Sequence, residues 1–337
     1  LAGDQERAET LYQEVMQETW SKQDKAELCL KQMLLLFSQG KWQAAITIAE
    51  QGLNYCGICT PTSEQSLFSS LDDTNNELEK LIAITPITEI SSFSEMSNPL
   101  QQIAIGLLAN LGVCYLAIGK VPYLEFYIKR GLLLTYLHGK TDLSALVMTV
   151  NGFLKAIDEQ YHEAVEYADQ ALEIMATYPH CREASNTLNL LSAGILHFQQ
   201  KTDQVIKLHQ QGYKQGLAEG ETMHAIVNLN NILFHQLTQG DVLGDIKYEA
   251  ESCAEITASY KIFQPTNLVA KKLVESLTSN NYFLDDTDFE ANFLSKIKHS
   301  FHSAFLDHVR LLYLFWSNKP ILEKQNYLLQ ISSRLQG

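Results

Sequence analysis

Three sets of residues have types and spacings that suit chemistry. Cys56 and Cys59 form a Cys-x-x-Cys. Such a pair does redox work where a helix N-terminus lowers a thiol pKa, and it holds zinc when a second pair completes four ligands. Cys56 instead follows the helical run 41–54, so it stands at a helix C-terminus, where the dipole opposes a thiolate. No second Cys pair or Cys-His pair has zinc-site spacing, and the motif is read as structural. His299 and His302 lie three apart with His308 beyond, which puts two imidazoles on one helix face and a third within reach of a metal. The flanking Phe301 and Phe305 favour half-exposed histidines on an amphipathic helix, and no metal is assigned. The third set is a series of asparagines, Asn110, Asn151, Asn189, Asn228 and Asn231, with Asn230 beside the last. Each falls in a long apolar helical run. Asn side chains in such a series either hydrogen-bond a bound peptide backbone or satisfy buried helix groups. The first reading makes these five the candidate partner-binding residues.

The elements that carry these residues repeat. In 37–58, Trp42, Ala45, Ala49, Gly52 and Leu53 follow Gly40; in 158–174, Tyr161, Ala164, Ala168, Ala171 and Leu172 stand at the same offsets. Small residues at spacings of 4 and 7 share one helix face and let a neighbouring helix come close. Trp42, Ala45, Ala49, Gly52, Tyr161, Ala164, Ala168 and Ala171 are therefore assigned to packing between repeats. Weaker copies place the closing small residue at 52, 131, 171, 212 and 253, steps of 79, 40, 41 and 41 residues. Each closing helix is preceded by another, at 107–118, 143–157, 184–199 and 223–239, and each pair turns at a polar break. A helix–turn–helix every 40 residues or so predicts an all-α fold, an α-solenoid of hairpins.

Helices are also expected at 4–19, 22–38 and 41–54, so 1–58 is read as the N-terminal helices and first hairpin. Residues 59–99 contain three prolines and much Ser, Thr, Asn and Asp; they are read as an insertion or linker with one helix at 71–84. Repeats fill 100–278. After a break at 279–288, C-terminal helices near 289–305, 308–317 and 320–335 complete the chain.

The formal charge is −14, and an acidic surface repels phosphate and anionic lipid, so nucleic-acid and membrane partners are not expected. The uncharged run 103–119 is short for a membrane span and fits the repeat as a buried helix. Six scattered cysteines read as free thiols of a reducing, cytoplasmic compartment. The start at Leu1 and the end at Gly337 suggest a piece of a longer protein. No phosphate-binding glycine loop, Ser-His-Asp order or kinase signature occurs, so neither catalytic residues nor cofactors are expected.

The order Gly40-x-Trp42-x-x-Ala45-x-x-x-Ala49-x-x-Gly52-Leu53, with its copy at 158–174, resembles the tetratricopeptide (TPR) repeat, which implies a right-handed superhelix. On a wider scale, residues 4–260 are similar in segment order to the helical region of large bacterial signalling proteins. The segments are 6–58, a Pro-containing spacer, 78–116 and 132–154. Cys56 and Cys59 depart from the pattern, standing where that family has apolar residues. The resemblance implies a region that follows a STAND-type ATPase and precedes a GAF domain and histidine kinase or similar output. Its function would be a non-catalytic protein-interaction scaffold that binds a protein or peptide segment, or a neighbouring domain, on its concave face. The alternative is a helical-repeat domain that senses a peptide or small molecule.

Overall fold

A computed structural model describes residues 5–17, 21–181, 183–257 and 264–279, with five isolated positions between 311 and 325. All but the first residue of the expected break at 279–288, nearly all of the helices beyond it, and His299, His302 and His308 fall outside the described residues. The described residues are all-helical, with one isolated bridge in place of any strand. In chain order the helices are α1 (Gln5–Gln17), α2 (Lys22–Ser38), α3 (Trp42–Tyr55), α4 (Glu64–Ile84), α5 (Pro99–Ala117), α6 (Val121–His138) and α7 (Ser144–Ile157). Then come α8 (Tyr161–Thr177), α9 (Ala184–Gly194), α10 (Thr202–Glu219), α11 (Thr222–Gln239), α12 (Leu243–Thr257) and α13 (Gln264–Ser279). Short 3₁₀ turns occupy Ile87–Ser92 and Leu196–Phe198.

Local chemistry sets the boundaries. Ser21 caps α2 reciprocally with Asp24, and Ser63 does the same for α4 with Ser66. Asn98 caps α5 and Pro99 opens it. These last two caps start α4 and α5 seven and eight residues earlier than periodicity suggests. The hairpin turns at Gly40, Gly119 and Gly240 share a left-handed backbone, and Glu159 takes the same conformation (φ 61°) in the fourth.

Helices pack in chain order: α2 on α3, α3 on α5, α5 on α6, α6 on α7, α7 on α8, then α9 on α10, α10 on α11 and α11 on α12. The opening helices also touch one another, α2 with α5, α7 with α9 and α9 with α11. The small residues assigned to packing sit in these seams. Ala45, Ala49, Ala168 and Ala171 are fully buried and Ala164 nearly so. A Cβ on Gly52 would lie 2.8 Å from the Cβ of Cys29 and from Leu107, so α3 wedges between α2 and α5 at glycine distance. Trp42 meets Phe37 edge-on at 5.0 Å. Tyr161 is 46% exposed and lies against Phe198, so it covers the end of the next hairpin rather than entering the core.

Residues 59–99, expected as an insertion or linker with one helix, carry α4 and pack against the hairpins. α4 packs on α6, the 3₁₀ turn at Ile87–Ser92 packs on α8, and Leu67, Ile90 and Met96 are buried. Gly139 completes the join. Its backbone (φ 98°) lies where only glycine fits, against the Ser94 carbonyl, so that Lys140 N–H donates to Ser94 O and Met96 N–H donates to Lys140 O, each at 2.9 Å. α5 is long and apolar enough to cross a membrane by length and composition, yet 72% of its most apolar window is buried among neighbouring helices.

Candidate functional site

The structure takes most of the candidate asparagines out of reach of a partner. Asn110 is 1% and Asn151 5% exposed, and each donates to the carbonyl four residues back, Gly106 and Val147 respectively. Asn228 is fully buried and donates to the carbonyls of Ser185 and His224, both at 2.9 Å, while its Oδ1 accepts from His209 Nδ1 at 2.8 Å. Asn231, which is half-buried, donates to Asn189 Oδ1 at 2.7 Å and ties α11 to α9. A ligand-binding amide must reach solvent in the free chain. Asn110, Asn151 and Asn228 do not, and their place as partner-binding residues is corrected to internal hydrogen bonding. Asn189 and Asn231 serve each other across the seam between two hairpins.

The thiols are equally inward. Cys59 alone of the six is exposed. Burial pushes the Cys56 thiol up to about 12, and the neighbouring Cys29 adds to the shift. Cys56 is thus a protonated, shielded group at the C-cap of α3, a poor partner for redox exchange with Cys59.

A different group comes together at the N-terminal ends of α9 and α11. Glu183 is the N-cap residue of α9 and Glu221 that of α11, while His224 sits in the first turn of α11. One ligand atom from each of Glu183, Glu221 and His224 falls within 4.8 Å of the others. The His224 Nδ1 and Glu221 Oε1 are in direct hydrogen-bond contact. His224 is 6% and Glu183 4% exposed. Burial lowers the basicity of His224, but the Glu221 carboxylate, by charge and by hydrogen bond, and the charge of Glu183 outweigh it and raise its pKa. On one side the imidazole lies 5.7 Å from the ring of Phe37, so the first hairpin reaches the fifth at this point.

Sequence reasoning missed this cluster, although the repeat period carries a signal for it. Asp142, Glu183 and Glu221 stand 41 and 38 residues apart, one acid just before each of α7, α9 and α11. The α6–α7 and α8–α9 connections line a cleft of about 350 Å³ to which Glu95, Gln102, Lys140, Asp142, Tyr178 and His180 contribute polar groups. Cys181 lies at its floor and donates its thiol to the Asp142 carbonyl at 3.6 Å. Burial raises the Asp142 carboxyl above the usual range, against the pull of two backbone N–H groups. A second groove of about 400 Å³ runs between α10, α11 and α12 and is mostly apolar. No protein-family model and no curated protein matches the chain.

Proposed function

We propose that the chain is a non-catalytic TPR-like scaffold: a right-handed superhelix of hairpins that engages a protein segment or a neighbouring domain of its own parent chain. What supports this reading most is the succession of helical hairpins α2–α3, α5–α6, α7–α8, α9–α10 and α11–α12, whose paired helices pack together, with small residues in the seams at steps of about 40 residues from Gly131 onward. The parent would be a cytoplasmic bacterial signalling protein with an ATPase or histidine-kinase module, and the array would couple one module to another. The test uses separately expressed flanking domains of the parent, titrated with the full 337-residue chain by calorimetry. Saturable binding to one of them is expected. If no flanking domain binds and removal of 100–257 leaves the parent's output unchanged, the scaffold reading fails.

One observation favours a second reading, a small-molecule sensor. The cleft at the α6–α7 and α8–α9 connections offers a carboxyl, an ammonium, an imidazole and a phenol within about 350 Å³, the size of site that takes a metabolite. A thermal-shift screen of metabolites separates the two. A ligand of a few hundred daltons whose effect disappears in Asp142→Asn and Tyr178→Phe would select the sensor.

A further inference from the structure

We propose that Glu183, Glu221 and His224 form a binding site for a first-row divalent cation, of which Zn²⁺ is the natural probe. Their ligand atoms lie within 4.8 Å of one another, whereas a tetrahedral centre with bonds near 2.1 Å holds them about 3.4 Å apart, so the wider separations close by up to about 1.4 Å while the His224–Glu221 hydrogen bond opens and releases its proton as the ion binds. One imidazole nitrogen with two carboxylate oxygens is a donor set of intermediate hardness. It suits zinc, manganese or ferrous iron rather than calcium or cuprous ions. A second observation points the same way: Glu221 Oε2 is buried and accepts no hydrogen bond. A buried carboxylate oxygen without a donor is costly, and a cation bound at this point removes that cost.

The ligands are well held. Glu183 and Glu221 are fixed at the starts of α9 and α11, and His224 is braced by Phe37. The His224 and Glu221 side chains keep 8% and 12% of their surface, which leaves an approach from one side. Three protein ligands leave a position open for water. The bound ion would cross-link two successive hairpins where the first hairpin meets them.

The experiment titrates the full chain, stripped with a chelator, with ZnCl₂ and separately with MnCl₂ by calorimetry, and records melting in parallel. One equivalent is expected to bind and to raise the melting temperature, and the chelator should reverse both effects. Glu183→Gln and Glu221→Gln should each weaken binding at least about tenfold while helicity by circular dichroism is kept. Cys59→Ser and His299→Gln should leave that equivalent in place. The absence of stoichiometric uptake below about 1 mM, the affinity of an exposed adventitious site, overturns the proposal, and so does unchanged binding in the two glutamine variants. Should those variants fail to fold, Co²⁺ in the wild-type chain decides. Ligand-field absorption without a thiolate charge-transfer band is expected, and a thiolate band would place the ion on cysteine and refute the assignment.

Discussion

Gly212→Ala sets two magnitudes against each other. Gly212 lies within α10, and alanine there is favoured over glycine by about 1 kcal/mol of helix propensity. The added Cβ, however, would stand 2.7 Å from both Nδ2 and Oδ1 of Asn228 and 2.8 Å from its Cγ. All three atoms belong to one planar amide, so no rotation of a flexible end relieves the contact. The amide has to leave, and with it go the bonds to the carbonyls of Ser185 and His224 and the bond from His209. Three buried hydrogen bonds at about 1 kcal/mol each, and about 1 kcal/mol of overpacking, outweigh the propensity gain. The expected net loss is about 3 kcal/mol.

Gly131→Ala is the control. The closest atom its Cβ would meet is a Val147 methyl at 3.1 Å, with nothing else closer than 3.5 Å. The same propensity gain should bring this variant to within about 0.5 kcal/mol of wild type. Urea denaturation followed by circular dichroism measures both, with hydrogen exchange on α10 and α11 because hairpin arrays unfold in parts. A Gly212→Ala chain within about 0.5 kcal/mol of wild type would refute the reasoning. It would mean that the Asn228 amide does not hold this seam.

Burial holds the fully enclosed His209 at about 4, against the Asn228 bond that favours its charge. Its folded pKa lies below its unfolded one, so its contribution is complete above about pH 6.5 and declines by about 3 kcal/mol as pH falls toward 4; a His209→Gln chain should show a flatter urea midpoint over that range. Gly139→Ala, strained at φ 98° and set against the Ser94 carbonyl, should cost more than about 2 kcal/mol and open 59–99 to limited proteolysis first. Labelling with a thiol reagent should modify Cys59 rapidly and the other five only on unfolding; a second fast thiol would contradict the burial of Cys56.

How much was legible follows from the range of each signal. The hairpins at 22–54 and 144–177 are visible because turn, aromatic and small residues fall within one short window. The start of α4 was missed because Ser63 and Ser66, a reciprocal cap, look like linker composition next to Pro61. The packing of 59–99 was missed for a different reason. It depends on Gly139 meeting Ser94 and on Ser91 N–H donating to Gln170 Oε1, pairings 45 and 79 residues apart that no local pattern encodes. Asn110, Asn151 and Asn228 were given the wrong direction, since a period places a side chain on a face without saying whether a neighbour covers it.

Gly212 and Asn228 join these two signals into one. The glycine was read as the closing small residue of a weaker repeat copy and the asparagine as a contact for a partner, yet they face each other across one seam. An asparagine there needs a glycine opposite, because only a bare backbone leaves room for an amide that also bonds α9 and α10. At the second hairpin the glycine at the same repeat step, Gly131, faces Val147, and Asn110 and Asn151 turn back on their own helices instead. The seam chemistry therefore changes along the array, from apolar contact with a buried Thr135–Ser144 hydroxyl pair at α6–α7 to amide hydrogen bonds and charged groups at α9–α11. The ionic end is where Phe37 of the first hairpin meets His224 of the fifth. Regular spacing along the chain thus coexists with one distinctive junction, and that junction is where changes in ligation or protonation would be felt by three hairpins together.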